Sequence, residues 1–181
     1  MIILFGAPGA GKSVQGQILV ARHGWHWLSA GQMLRDTNDP EIIKQMSGGD
    51  LVDNGTTNNL VSKALADSKD IDHVVMDGFP RELSQAKWLV ENQPHNGRSI
   101  SLVLVLEVSP EEITRRLKLR GRADDRPESS EERQDIYKEG IRQIIDYFKQ
   151  QKVSVIHLNG EGSVGEVHDR IESELATWSL V

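Results

Sequence analysis

Five short apolar runs punctuate the chain: IILF at 2–5, WHWL at 25–28, VVM at 74–76, LVLVL at 102–106 and VSVIHL at 153–158. Each has the length of a β-strand, and the third and fourth are apolar throughout, as strands covered on both faces are. Helical patterns fill the intervals. The first is expected from Lys12 to about His23, stopping at Gly24, with Arg22 and His23 suited to the negative end of its dipole. SPEE at 109–112 offers a serine cap, a proline at the first helical position and two acids in the first turn. SSEE at 129–132 fits a capping box between Ser129 and Glu132. It leads into a helix whose Ile136, Tyr137, Ile141, Ile144, Ile145 and Phe148 form one apolar stripe. Strands alternating with helices predict an α/β fold, a parallel sheet of five strands covered by helices on both faces. The glycine-rich stretch 47–55 and the charged stretch 120–130 break the alternation and read as excursions from that core.

Composition narrows the ligand more than the fold. A chain of 181 residues is one domain, or one with sizeable insertions. No apolar run approaches the ~18 residues that cross a membrane, and MIILF runs into glycines with no basic leader, so no signal peptide is expected. The absence of cysteine excludes disulfides, thiolate nucleophiles and cysteine zinc sites, and is compatible with a reducing cytoplasm. A net charge of −6 and only 5% aromatic residues argue against a nucleic-acid surface. Against that acidic balance, Arg115, Arg116, Lys118, Arg120 and Arg122 put five cations into eight positions, followed by Asp124 and Asp125. Cations so close repel one another unless an anion neutralises them. The pattern points to a small anionic ligand.

GAPGAGKS at 6–13 follows the first strand, opens the first helix and fits G-x-x-x-x-G-K-[ST]. Its glycines let the backbone N–H groups of Gly9, Ala10 and Gly11 turn inward on phosphate oxygens, and the helix N-terminus adds positive potential. Lys12 reaches the β- and γ-phosphates, and the Ser13 hydroxyl suits Mg²⁺. The bland alternative is a glycine-rich turn built for steric reasons, but the spacing, the Lys-Ser pair and both flanking elements are present together. A nucleoside triphosphate is the expected ligand. What is done with its phosphate is a separate question. No N-K-x-D guanine reader follows a later strand, and a module that only binds nucleotide gives the arginines no task.

LSAGQMLR at 28–35, DGFPR at 77–81 with Gln85 four residues on, RLKLRGRADD at 116–125 and Arg133 fall in the order found in adenylate kinases and their nucleoside-monophosphate kinase relatives. The chain resembles that family from Ile2 to about Glu174, in its short-lid form; the zinc-bearing long lid is impossible without cysteine. The resemblance implies a P-loop core at 1–28, 59–119 and 132–181, a monophosphate-binding subdomain at 29–58 and a short lid at 120–131. It implies a cytoplasmic monomer that moves the γ-phosphoryl of ATP to AMP, giving two ADP, with Mg²⁺ and no zinc. By the same match Lys12, Arg81, Arg120, Arg122 and Arg133 surround the moving group. Gly9, Ala10, Gly11, Lys12, Ser13, Val14, Arg116, Arg120 and Gly162 hold ATP, with Arg116 against the adenine. Arg35 and Arg81 grip the phosphate of AMP, while Ala30, Asp50, Leu51, Val52, Gly78, Phe79, Pro80, Gln85, Arg122 and Arg133 complete its site. Ser13 and Asp77 stand on the metal side, Asp77 through water, and Asp124 and Asp125 tie the lid arginines.

Three departures from the family pattern matter. The family continues its loop G-K-G-T, whereas this chain has Ser13-Val14, so a hydroxyl moves one position toward Lys12. Gln32 stands where an aspartate is common. Ala30 resembles the UMP/CMP kinases rather than the AMP enzymes, which carry threonine, whereas Gln85 agrees with an adenine reader. AMP is the expected acceptor, with CMP or UMP as the alternative. A kinase of another small molecule, of the shikimate type, shares the loop but has no reason to keep DGFPR. Arg115 and Lys118 read as a solvated face, the six histidines as ordinary residues and the four tryptophans as packing.

Overall fold

The computed structural model describes residues 1–48, 50–120 and 140–181. In chain order its elements are β1 (Ile2–Gly6), α1 (Lys12–His23), β2 (His26–Ser29), α2 (Ala30–Asp36), α3 (Pro40–Gly48), α4 (Asn54–Asp67), β3 (Val74–Asp77), α5 (Leu83–Asn96), β4 (Leu102–Glu107) and α6 (Pro110–Arg120). They continue with α7, described over 140–150, then β5 (Val155–Asn159) and α8 (Val164–Thr177). The five strands form one sheet in the order β2-β3-β1-β4-β5, and every neighbouring pair is parallel.

Side-chain alternation along the central strands divides the core in two. Ile3 and Phe5 of β1 join Met76 and Val103 on one face, where Val61, Leu65, Leu89, Ile144 and Phe148 from α4, α5 and α7 cover them. Ile2 and Leu4 face the other way with Leu102 and Leu104, beneath Leu19 of α1 and Ile171 and Leu175 of α8. A strand buried on both faces needs apolar side chains at odd and even positions alike, hence the unbroken runs. Phe5, Phe148, Leu19 and Ile171 are all buried, and each large apolar side chain so placed contributes about 1.5–3 kcal/mol.

The strands end later than their apolar runs. Gly6, Ser29, Asp77, Glu107 and Asn159 each extend a ladder by a residue, because the backbone pairs whatever the side chain is. All five are glycine or polar residues, and all lie at carboxyl ends, where open α/β sheets bind ligands. The N-terminal starts of β2 and β5 come one and two residues later than expected. Helix α1 has the expected bounds, and Gly24 closes it at φ +68° with its N–H donating to Val20 O. The capping box expected at Ser129 and Glu132, with Ile136 and Tyr137, lies outside the described residues. A box that sequence reading missed is present at α8, where Ser163 and Glu166 satisfy each other's backbone N–H groups.

Helices α1 and α8 also share a polar seam. Buried Gln15 donates from Nε2 to Val164 O at 2.9 Å, and its Oε1 lies 3.2 Å from His168 Nδ1. Glu172 Oε1 stands 3.2 Å from His168 Nε2 and 2.8 Å from His23 Nε2. Burial pushes the His168 pKa down, with Arg22 and His23 acting the same way while Glu172 and Asp169 oppose it; burial also lowers His73. A histidine whose folded pKa lies below its unfolded value takes up its proton more readily when unfolded, so stability is lost as pH falls through the histidine range. The melting temperature should therefore drop between pH 7.5 and 5.5, measured by calorimetry, and His168→Gln should flatten part of that slope.

Candidate active site

The loop between β1 and α1 is shaped by two glycines in the left-handed region, Gly9 at φ +89° and Gly11 at φ +98°. A Cβ on Gly9 would also stand 3.1 Å from Leu117 Cδ2 of α6, so the loop packs against that helix without room for a side chain. Lys12 Nζ donates to Gly6 O at 2.7 Å and Ala7 O at 3.1 Å, which holds the ammonium over its own loop. Buried Ala10 anchors the loop's centre.

Parallel pairing of β1 with β3 brings Asp77, only 4% exposed, beside this loop. Ser13 Oγ donates to Asp77 Oδ2 at 2.6 Å. Burial lowers the Lys12 pKa; the Asp77 carboxylate opposes this, and Arg81 and Arg120 reinforce it. The Asp77 carboxylate and the Arg81 and Arg120 guanidiniums thus lie within electrostatic reach of the Lys12 ammonium. Arg81 Nε donates to Gly78 O at 3.0 Å, and Gly78, at φ +76°, turns the chain there. Arg35, which donates to Gln32 Oε1, comes from α2. A Cβ built on Gly31 would lie 3.6 Å from Arg35 Nη1 and 3.8 Å from Arg81 Nη2, so these two guanidiniums converge over one glycine.

Arg116 is held on its edges. Its Nε donates to Glu112 Oε1 at 2.7 Å, Nη1 to Ala10 O at 3.2 Å and Nη2 to Gly160 O at 2.9 Å. In-plane bonds of this kind fix a guanidinium's plane and leave its faces for stacking. They also join the β1–α1 loop, α6 and the turn after β5, where Gly162 sits at φ +104°. Glu112 grips Arg115 as well, through Nε at 2.6 Å and Nη2 at 2.8 Å. Hydrogen bonds from Arg115 and Arg116 pull the Glu112 pKa down to about 2.

The sequence model of the family described as Adenylate kinase matches residues 4–153. The chain belongs to the adenylate kinase family. An adenylate kinase of Mycolicibacterium paratuberculosis is 35% identical over 93% of this chain and 95% of its own length. One from Maricaulis maris is 34% identical over 96% and 97%, and one from Bacteroides thetaiotaomicron 34% over 90% and 91%.

Within the adenylate kinase frame, the sequence-predicted residues fall into three groups. Lys12, Ser13, Asp77, Arg81 and Arg120 come together, with Arg35 beside Arg81. Others sit around them: Ala30 is buried in the first turn of α2, Val52 is buried ahead of α4, Asp50 and Leu51 are exposed, and Phe79-Pro80 forms a cis peptide with Phe79 fully buried. Val14 is 46% exposed, an apolar side chain left outside the core. Arg122, Arg133, Asp124 and Asp125 lie outside the described residues. The expected boundary at 58 falls inside α4. Gln85 is only 3% exposed and spans two partners, accepting from Arg81 N at 2.8 Å and donating to Asn54 Oδ1 at 2.7 Å.

Sequence reading missed Glu112 and Gln15. Glu112 was legible in principle, since it precedes Arg115 and Arg116 by three and four residues, the spacing at which helical side chains meet. Gln15 had no such signal, because its partners lie on α8. Glu112→Ala should leave Arg116 without its Nε acceptor and weaken Mg-nucleotide binding by roughly three- to ten-fold, read by titration calorimetry, whereas Arg115→Ala should change it little.

Proposed function

We propose that this protein catalyses reversible transfer of the γ-phosphoryl of ATP to AMP, yielding two ADP. The observation that carries the reading is Asp77, bonded to Ser13 at 2.6 Å beside Lys12 at the carboxyl end of the sheet, with Arg81 and Arg120 in electrostatic reach of that lysine and Arg35 adjoining Arg81 on the α2 side. ATP occupies the loop 6–13, with the N–H groups of Gly9, Ala10 and Gly11 on its phosphates and Arg116 and Gly162 beside its adenine. AMP lies over α2, its phosphate between Arg35 and Arg81, its other contacts from Ala30, Asp50, Leu51, Val52, Gly78, Phe79, Pro80 and Gln85. The core at 1–28, 59–119 and 132–181, the subdomain at 29–58 and the lid at 120–131 belong to the same proposal, as do a monomeric state and a cytoplasmic location, which a chain without cysteine suits.

Phosphoryl transfer asks for alignment and for neutralisation of charge on the moving group. Lys12, Arg81 and Arg120 supply fixed cations, joined in this reading by Arg122 and Arg133 from the resemblance. Each donates charge-assisted hydrogen bonds to equatorial oxygens. The acceptor is already an anion, so no side chain needs to act as a strong general base. Ser13 and Asp77 present a hydroxyl and a carboxylate side by side, hard oxygen donors that fit Mg²⁺ together with nucleotide oxygens. Bound there, Mg²⁺ would offset phosphate charge.

A coupled assay with ATP as donor against AMP, CMP, UMP, GMP and dTMP tests the reading; ADP formed fastest with AMP is expected, and no ADP with any monophosphate overturns it. Arg122→Ala should lower kcat by on the order of 10²-fold with a much smaller change in the KM for ATP, because its donors meet charge that develops in the transition state. A loss confined to KM would make Arg122 a binding contact only.

A further inference from the structure

Gln85 belongs to a relay of amides whose two ends allow only one polarity. At one end the Arg81 backbone N–H, which can only donate, points to Gln85 Oε1 at 2.8 Å. Gln85 Nε2 donates to Asn54 Oδ1 at 2.7 Å, and Asn54 Nδ2 donates to Glu82 Oε2 at 2.8 Å and Ser84 Oγ at 3.0 Å. The far end is a carboxylate, which only accepts. A half-turn of either amide would set donor against donor at Arg81 or acceptor against acceptor at Glu82. The orientation of Gln85 is therefore determined, and at 3% exposure it has no water to substitute for a lost partner.

Two of the four hydrogen-bonding positions on the Gln85 amide are used among the described residues, leaving one N–H and one lone pair. A freely turning amide could match either kind of base edge. Adenine and cytosine carry an exocyclic amine, whereas guanine and uracil carry a carbonyl at the corresponding place. We infer that Asn54, held by Glu82 and Ser84, is a specificity-determining positioning residue that locks Gln85 for monophosphates with an amino-bearing base and against those with a carbonyl-bearing base. The inference rests on the reading of the protein as a nucleoside-monophosphate kinase with Gln85 at the base. It separates GMP from AMP, two purines of similar size, by hydrogen-bond polarity alone. It also ties the subdomain expected at 29–58 to the start of α5, since Asn54 is the first residue of α4.

The test compares kcat/KM for AMP and GMP, with ATP as donor, in the wild type, Asn54→Ala and Asn54→Asp. Asn54→Ala leaves the Arg81 N–H as the one remaining restraint on the Gln85 amide among the bonds described above. It should shrink the AMP:GMP ratio by about ten-fold, the worth of roughly one hydrogen bond, with the KM for ATP little changed. Asn54→Asp keeps an acceptor for Gln85 Nε2 while facing the Glu82 carboxylate. It should lower the melting temperature yet hold the ratio near the wild-type value. If Asn54→Ala does not fold, Glu82→Ala removes the group that orients Asn54, and a smaller fall in the same ratio is expected. Equal losses for AMP and GMP, leaving the ratio intact in the folded variants, would reduce Asn54 to a structural tie and overturn the inference. A wild type that phosphorylates no monophosphate would instead remove the reading on which it rests.

Discussion

Repulsion among cations gathered at one end of a parallel sheet is the constraint around which this molecule is arranged. Arg81 and Arg120 both lower the Lys12 pKa, buried Asp77 opposes them, and Arg35 meets Arg81 over Gly31. Two unit charges about 4 Å apart repel by roughly 4 kcal/mol at an effective dielectric constant near 20. The fold bears this by giving the cations fixed acceptors: Gly6 O and Ala7 O for Lys12, Gly78 O for Arg81, the Gln32 side chain for Arg35. Such acceptors are neutral dipoles. They hold the cations in place, and in the proposed reaction a polyphosphate chain would bring opposite charge to them.

Regular elements deliver these groups. Ser13 and Lys12 open α1, Asp77 ends β3, and Arg120 ends α6, whose Leu117 packs on Gly9. The Ser13–Asp77 bond makes physical sense of the departure from the family's G-K-G-T. Moving the hydroxyl one residue toward Lys12 sets it on the β3 side, within 2.6 Å of the carboxylate. Position 14, released from that role, carries a valine that is 46% exposed.

What could be read from the sequence was what depends on local pattern. Unbroken apolar runs gave both-face burial and therefore the parallel sheet, and G-x-x-x-x-G-K-S gave the loop, since each demand is met within a few residues. The strand ends were short by one residue because Gly6, Ser29, Asp77, Glu107 and Asn159 are paired by backbone, which apolar character does not report. Gln85 was placed by resemblance as a base reader, but its bonds to Arg81 and Asn54 bridge four and 31 residues. Gln15 meets His168 across 153 residues. Contacts across 31 or 153 residues follow from the packing of elements, and no spacing rule announces them.

In the proposed reaction two phosphate-bearing ligands face each other across this group of cations. A dinucleoside pentaphosphate joins both in one molecule, so it engages both sites without the entropy of bringing two ligands together. Thermal unfolding with saturating diadenosine pentaphosphate, ATP or AMP measures this directly. Two facing sites should give a far larger rise in melting temperature with the pentaphosphate than with either nucleotide, and most of that excess should be lost in Arg81→Ala. A rise equal to that given by ATP, unaffected by Arg81→Ala, would contradict it.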